Sequence, residues 1–180
     1  ITTFDKTIID MQRDLPNTFL GDKFTNPLSP MAANSLLPEL KRIIAGKDTL
    51  LAARHIIAFV RETFTYKTDE EHMGYEKELS PEEALYYNFS DCEDRSSLYF
   101  YLVKELLDLP VAAVSYTLPN QIGHCTIAIG GFCVEDYKPL FVQDGGLSWV
   151  PVGHAVLAGA GPLMLLGLEE SGQASFAADL

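Results

Sequence analysis

The chain has 180 residues, 47% of them hydrophobic, with 13 basic against 25 acidic side chains and a formal charge of −12. That length suits one domain, residues 1–180, with a sizeable core, and the acidic balance argues against nucleic acid or an anionic membrane as partner. The three cysteines, Cys92, Cys125 and Cys133, match neither a disulfide framework nor a C-x-x-C zinc pair.

Residues 1–28 read as a loop-rich arm punctuated by Pro16, Gly21 and Pro27. Ser29-Pro30 then has the order of an N-cap and first helical residue, with Gly46 as the stop and Pro38 kinking or splitting the helix. From Asp48 a second helix places Leu50, Ala53, Ile57, Val60 and Phe64 on one face. "TFTYKTDEEHMGYEK" reads as a polar, mobile loop, and Ser80-Pro81-Glu82-Glu83 as a capping box opening a short helix. In "SDCEDRSSLYFYLVKELL", Ser90 as N-cap and Glu93 at N3 put Cys92 at N2, with Phe100, Val103, Leu106 and Leu107 toward the core.

After Pro110 the pattern turns to strands at 111–117, 124–130, 139–143 and 147–152, with Asp144-Gly145-Gly146 as a turn signal. Helices followed by an antiparallel strand run indicate an α+β fold. Residues 145–168 carry no Asp, Glu, Lys or Arg, but Pro151, Pro162 and several glycines make a buried strand and loop the better reading than a membrane span. The remainder, from about 155 to 180, reads as an atypical packing segment with a frayed end. The chain opens on Ile1, as a processed or excised piece would, so a targeting segment would be missing from it and the compartment, periplasmic or extracellular among others, is not legible.

A cysteine in the first turn of a helix has its sulfur near unpaired N–H groups and the positive end of the dipole, which favours the nucleophilic thiolate. Asp91, Glu93 and Asp94 oppose that charge. Equally, a cysteine there is often just a small buried residue. His124, straight after Gly123, is the base within reach if its strand presents it to the helix. Alternation puts Cys125, Ile127 and Ile129 on an apolar core face and His124, Thr126 and Ala128 on the other, which is expected to face the helix. His55 and His72 are weaker candidates. A metal site of His124 with Cys125 and Cys133 is disfavoured because adjacent strand residues point to opposite faces.

The run Ser90-Asp91-Cys92-Glu93-Asp94-Arg95-Ser96 at a helix start, followed by Gly123-His124 opening a strand, resembles the transglutaminase-like superfamily of papain-related thiol enzymes. "FTYKTDEEHMGYEK" and "SPEEALYYNFSDCEDRS" resemble the run-up to the cysteine in its bacterial cysteine-proteinase branch, and the likeness spans roughly 25–155. It implies a papain-like arrangement, acyl transfer on a peptide or protein amide, Cys92 as nucleophile and His124 as base. The family's acid that orients the histidine follows a strand of the type W-V-P-V-D-P-T, and here "SWVPVGHA" has Gly153 at that place. Either Asp144, at the end of "PLFVQ", fills the role, or the orienter is missing; Asp136 and His154 are further alternatives. In one related bacterial group, acids around the nucleophile bind calcium. Capping and solvent-facing charge is the plainer reading of Asp91, Glu93 and Asp94, and three acids in one helical turn do not by themselves surround an ion, so no cofactor is expected and calcium stays a side hypothesis. Hydrolysis, transfer to an amine, and a silent peptide-binding module all remain open at this point.

Overall fold

In the computed structural model the backbone is described for residues 1–16, 20–117, 123–129, 148–150 and 164–166, and side chains for 1–16, 22–113 and 125–129. The stretch expected to be a loop-rich arm carries two short helices, α1 (Lys6–Arg13) and α2 (Leu20–Lys23), and sends Ile9, Phe24 and Leu28 into the interior. Asp5 caps α1 by accepting the Thr7 N–H at 2.9 Å.

Helix α3 (Pro30–Ile44) begins at Ser29, whose hydroxyl accepts the Ala32 N–H at 3.3 Å. It buries Ala32, Leu36, Leu40 and Ile44 at a four-residue spacing. It runs as one helix through Pro38, so the expected split does not occur. Gly46, at φ +73°, supplies the left-handed residue that ends it. Asp48 then caps α4 (Thr49–Thr63) through the Leu51 N–H at 2.8 Å, and Ala53, Ile57 and Val60 face inward as the pattern predicts.

The segment expected to be a polar, mobile loop is structured. It holds β1 (Thr65–Tyr66) and α5 (Asp69–His72), the latter framed by a capping box between Thr68 and Glu71, and it buries Phe64, Asp69 and Lys77. Next come α6 (Pro81–Tyr86), boxed by Ser80 and Glu83 as expected, and β2 (Phe89–Ser90), which pairs parallel with β1.

Helix α7 (Cys92–Leu107) is the centre of the molecule. Every residue from Cys92 to Val103 except Glu93 is buried, because α4 and α6 cover part of it and the sheet covers the rest. This is why its sequence lacks a clean apolar stripe: a helix enclosed on all sides has no polar face to contrast with a buried one. Asp108 ends it in a left-handed conformation at φ 53°.

Strands β3 (Val111–Thr117) and β4 (Gly123–Ile129) form an antiparallel pair, flanked by β5 (Ser148–Val150) on β3 and β6 (Met164–Leu166) on β4. All three pairings are antiparallel. β6 lies in the stretch expected to be packing and a frayed end. The result is an α+β architecture, with helices packed on a small antiparallel sheet. Among the described residues no helix is long and apolar enough to cross a membrane.

Candidate functional site

The first turn of α7 starts one residue later than the sequence suggests. Asp91, not Ser90, is the N-cap, so Cys92 is N1 and Asp94 is the N3 acid. Both serine and aspartate cap well, and both here have an acid three residues on, so sequence spacing did not separate them. The Asp94 carboxylate accepts the Asp91 N–H at 3.4 Å and the Leu79 N–H at 2.8 Å. Ser90 pairs with Tyr66 in the β1–β2 ladder and accepts from Arg95 Nε at 3.1 Å. The Arg95 guanidinium also donates to the Phe64 carbonyl at 2.8 Å and stacks 5.0 Å from the Tyr66 ring centre.

Cys92 is 7% exposed, and its thiol donates to Glu93 Oε2 at 3.0 Å. Burial pushes the thiol well above its ordinary range, and the Glu93 carboxylate pushes it further. The backbone N–H of Cys125 works in the opposite direction as a donor to the sulfur. That contact places the sulfur against the start of β4. One turn along α7, the Ser96 hydroxyl donates to the Cys125 carbonyl at 3.2 Å, so the helix is tied to the strand at that residue. Cys125 itself is 3% exposed, and burial pushes its thiol up to about 12.

His124 lies in β4 opposite Tyr116 and next to Cys125 in the chain. Its imidazole lies outside the described residues, as do Asp144, Gly153, Asp136, His154 and Cys133. One element of the expected geometry is corrected. Cys125, Ile127 and Ile129 share one core with Leu98, Phe100 and Leu102 of α7, so the helix covers the apolar face of β4 rather than the opposite one. Thr126 and Ala128 are buried too. With both faces covered, apolarity could not tell which layer lay on which side. His55 is exposed on α4, and His72 ends α5 with its ring 4.6 Å from that of Phe89.

The acids around Cys92 are not the solvent-facing charges expected. Asp91 and Asp94 are 7% and 1% exposed, and Asp69, brought in by α5, is 3% exposed. Single carboxylate oxygens of these three lie within 4.8 Å of one another. A second group on the same scale joins Asp69 to Glu76 and Glu93. Burial raises Asp69 to about 7 and lifts Asp91, Glu93 and Asp94 above the usual carboxylate range, with their mutual repulsion adding to the effect on Asp91 and Asp94. Asp69 and Glu76 escaped sequence reasoning. The available signal was Thr68-x-x-Glu71, which marks a helical turn just where a loop was expected.

The donor set suits a hard cation such as Ca²⁺. All donors are carboxylate oxygens, the ligand type that hard Ca²⁺ takes, and Asp91 Oδ1 has no hydrogen-bond partner.

No protein-family model matches the sequence. No match is found among curated proteins. Among solved structures, the chain is similar to one described as a "putative cysteine protease" from Cytophaga hutchinsonii, at 13% identity and a TM-score of 0.45. The match covers 65% of this chain and 39% of that one, so this chain spans well under half of its length.

Proposed function

We propose that this protein is a thiol-dependent acyl-transfer enzyme acting on peptide or protein amides, with water as the acceptor. The observation that carries the reading is the Cys92 sulfur at the first residue of α7, the helix that Ser96 ties to the carbonyl of Cys125, the residue after His124. In this reading Cys92 Sγ attacks the amide carbonyl carbon, and His124, which would have to reach the sulfur past the edge of β4 from the face opposite Cys125, takes the thiol proton. The carbonyl oxygen becomes an oxyanion, for which the Cys92 N–H, free of an intrahelical partner in the first turn, is a donor. Collapse breaks the C–N bond, His124 delivers the proton to the leaving amine, and the thioester is cleaved by water. Asp144 is the proposed orienter of the imidazole, in place of the acid that Gly153 lacks. Asp69, Asp91 and Asp94 would hold a calcium ion, whose charge would offset theirs beside the reacting sulfur.

A second reading, a silent peptide-binding module, draws on the neutral thiol bonded to Glu93. Iodoacetamide labelling against pH, read by mass spectrometry at the Cys92 peptide, separates the two. The enzyme reading expects rapid Cys92 alkylation below the ordinary thiol range and its loss in His124→Ala. Labelling that rises only at alkaline pH and ignores His124 overturns it. Amide hydrolysis lost in Cys92→Ala is the companion result, and incorporation of a primary amine instead would replace water as the acceptor.

A further inference from the structure

Residues 69–79 form a short strap against the first turn of α7. Asp69 Oδ2 accepts the Lys77 N–H at 2.6 Å, and Asp94 Oδ1 accepts the Leu79 N–H at 2.8 Å. Asp69, at the start of α5, is buried, whereas His72, at its end, is half-buried and belongs to a continuous run of rings. The His72 ring lies 4.6 Å from that of Phe89 and 5.8 Å from that of Tyr87. Tyr87 meets Tyr86 at 5.2 Å, and Tyr86 meets Phe4 at 5.5 Å, each edge to face. Four of the five are half-buried, and Tyr86 is 36% exposed. Rings gathered at a surface rather than in a core mark a place of contact, because each offers a large apolar face at small entropic cost.

The run leads to the nucleophile. Phe89 stands three positions before Cys92, a separation of at most about 10 Å of extended chain. Beside it, Thr65 pairs with Phe89 and Tyr66 with Ser90, and the Tyr66 phenol lies within electrostatic reach of Cys92. Charge then selects the occupant. The chain carries a formal charge of −12, and Glu70 and Glu71 are exposed on α5 next to His72. The cations near the two tyrosines are already paired: Lys6 and Arg13 both meet Asp10, and Arg13 also meets Asp14. At the other end of the run, the Lys67 ammonium stands 4.4 Å from the Phe89 ring centre. The chain thus already makes the contact that such rings favour, a cation over a π face. A guanidinium suits it best, being flat enough to stack and weakly enough hydrated to leave water.

We infer that the ledge running from Phe89 through His72, Tyr87 and Tyr86 to Phe4 receives a basic, arginine-bearing stretch of the polypeptide substrate, next to the amide presented to Cys92. The choice of substrate rests on the acyl-transfer reading, so binding and cleavage are measured separately. Short fluorescein-labelled peptides with arginines spaced by glycine and serine are titrated by anisotropy against the full chain carrying Cys92→Ala, in about 0.15 M NaCl. Counterparts carry glutamine or phenylalanine in place of arginine. The arginine peptide should bind about tenfold or more tighter than the glutamine peptide, and Tyr86→Leu and Phe89→Leu should each weaken it about two- to fivefold. Both substitutions keep every charge, so an attraction to net charge alone would not notice them. Glu39→Gln, which removes an exposed carboxylate from α3, should leave affinity unchanged.

Affinity that ignores both ring substitutions overturns the ledge. Equal binding of the glutamine peptide, or tighter binding of the phenylalanine peptide, overturns the basic occupant. Cleavage by the chain with Cys92 intact keeps the two readings apart. Hydrolysis of arginine and glutamine peptides at equal kcat/KM, unmoved by Tyr86→Leu, leaves acyl transfer standing and overturns the ledge. Ring-dependent binding of the arginine peptide without hydrolysis supports the ledge and overturns acyl transfer. Should Phe89→Leu fail to fold, the exposed Tyr86→Leu decides.

Discussion

The same short strap borders two buried charged groups that are solved in opposite ways. On one side Lys77 and Glu83, 2% and 1% exposed, form an ion pair at 3.2 Å. There Glu83 Oε2 also accepts the Ser80 N–H, and Ser80 Oγ donates to Gln12 Oε1, so the pair is held within a hydrogen-bonded group. On the other side Asp69, Asp91 and Asp94 share one sign of charge, and burial raises all three toward the protonated form. The first group carries its own counter-charge and serves to fasten α1 to α6. The second gathers like charges, whose burial side by side favours their protonated forms.

Removing the counter-charge should have the largest effect. Lys77→Met leaves Glu83 buried beside no ammonium and should cost about 3–5 kcal/mol in denaturant unfolding. The double change Lys77→Met with Glu83→Gln should recover much of that loss; no recovery would mean the pair is not the source. Next is the pH dependence of the acid group. A carboxyl whose folded pKa exceeds its unfolded value binds its proton more tightly when folded, so its stabilising contribution is present at low pH and lost as pH rises toward the folded value. For Asp69, ordinarily near 3.8 and raised to about 7, the cation-free protein should lose stability between about pH 4 and pH 7. Saturating Ca²⁺ should flatten that decline; a flat profile without cation would remove the asymmetry between the two groups.

A smaller effect with a change of sign is expected from Asp91→Asn. In chelator at pH 8 it removes a repelling charge and should raise the melting temperature, whereas in Ca²⁺ it should lower it. Capping substitutions should matter least. Ser80→Ala removes a cap from the paired side and should cost about 1 kcal/mol, and Thr68→Ala on the exposed α5 turn about half of that. Thermal melts of the two variants side by side check this order.

Caps were the most legible part of the chain. Ser29-Pro30, Asp48 and Ser80-Pro81 each announce a helix through residue types that satisfy free N–H groups, and each helix starts where they indicate. The antiparallel pair of β3 and β4 was legible from alternation and from Pro110. Burial of charge was not. Asp69, Lys77 and Asp94 look like surface residues in sequence because their partners lie 8 to 65 positions away. The side of β4 that meets α7 was misjudged for a related reason, since both faces of that strand are covered. Cys92 stood out through its neighbours and its helix; the inner carboxylate group could not, because one third of it arrives from α5.

The enclosure of α7 on every side has a consequence for how any event at its front end is felt. Amide hydrogens along its middle can exchange with solvent only when the helical layer and the sheet part together, so their exchange reports the opening of the whole assembly. An occupant seated at the first turn therefore registers far down the rod, at Leu98 and Leu102, as slower exchange without any displacement there.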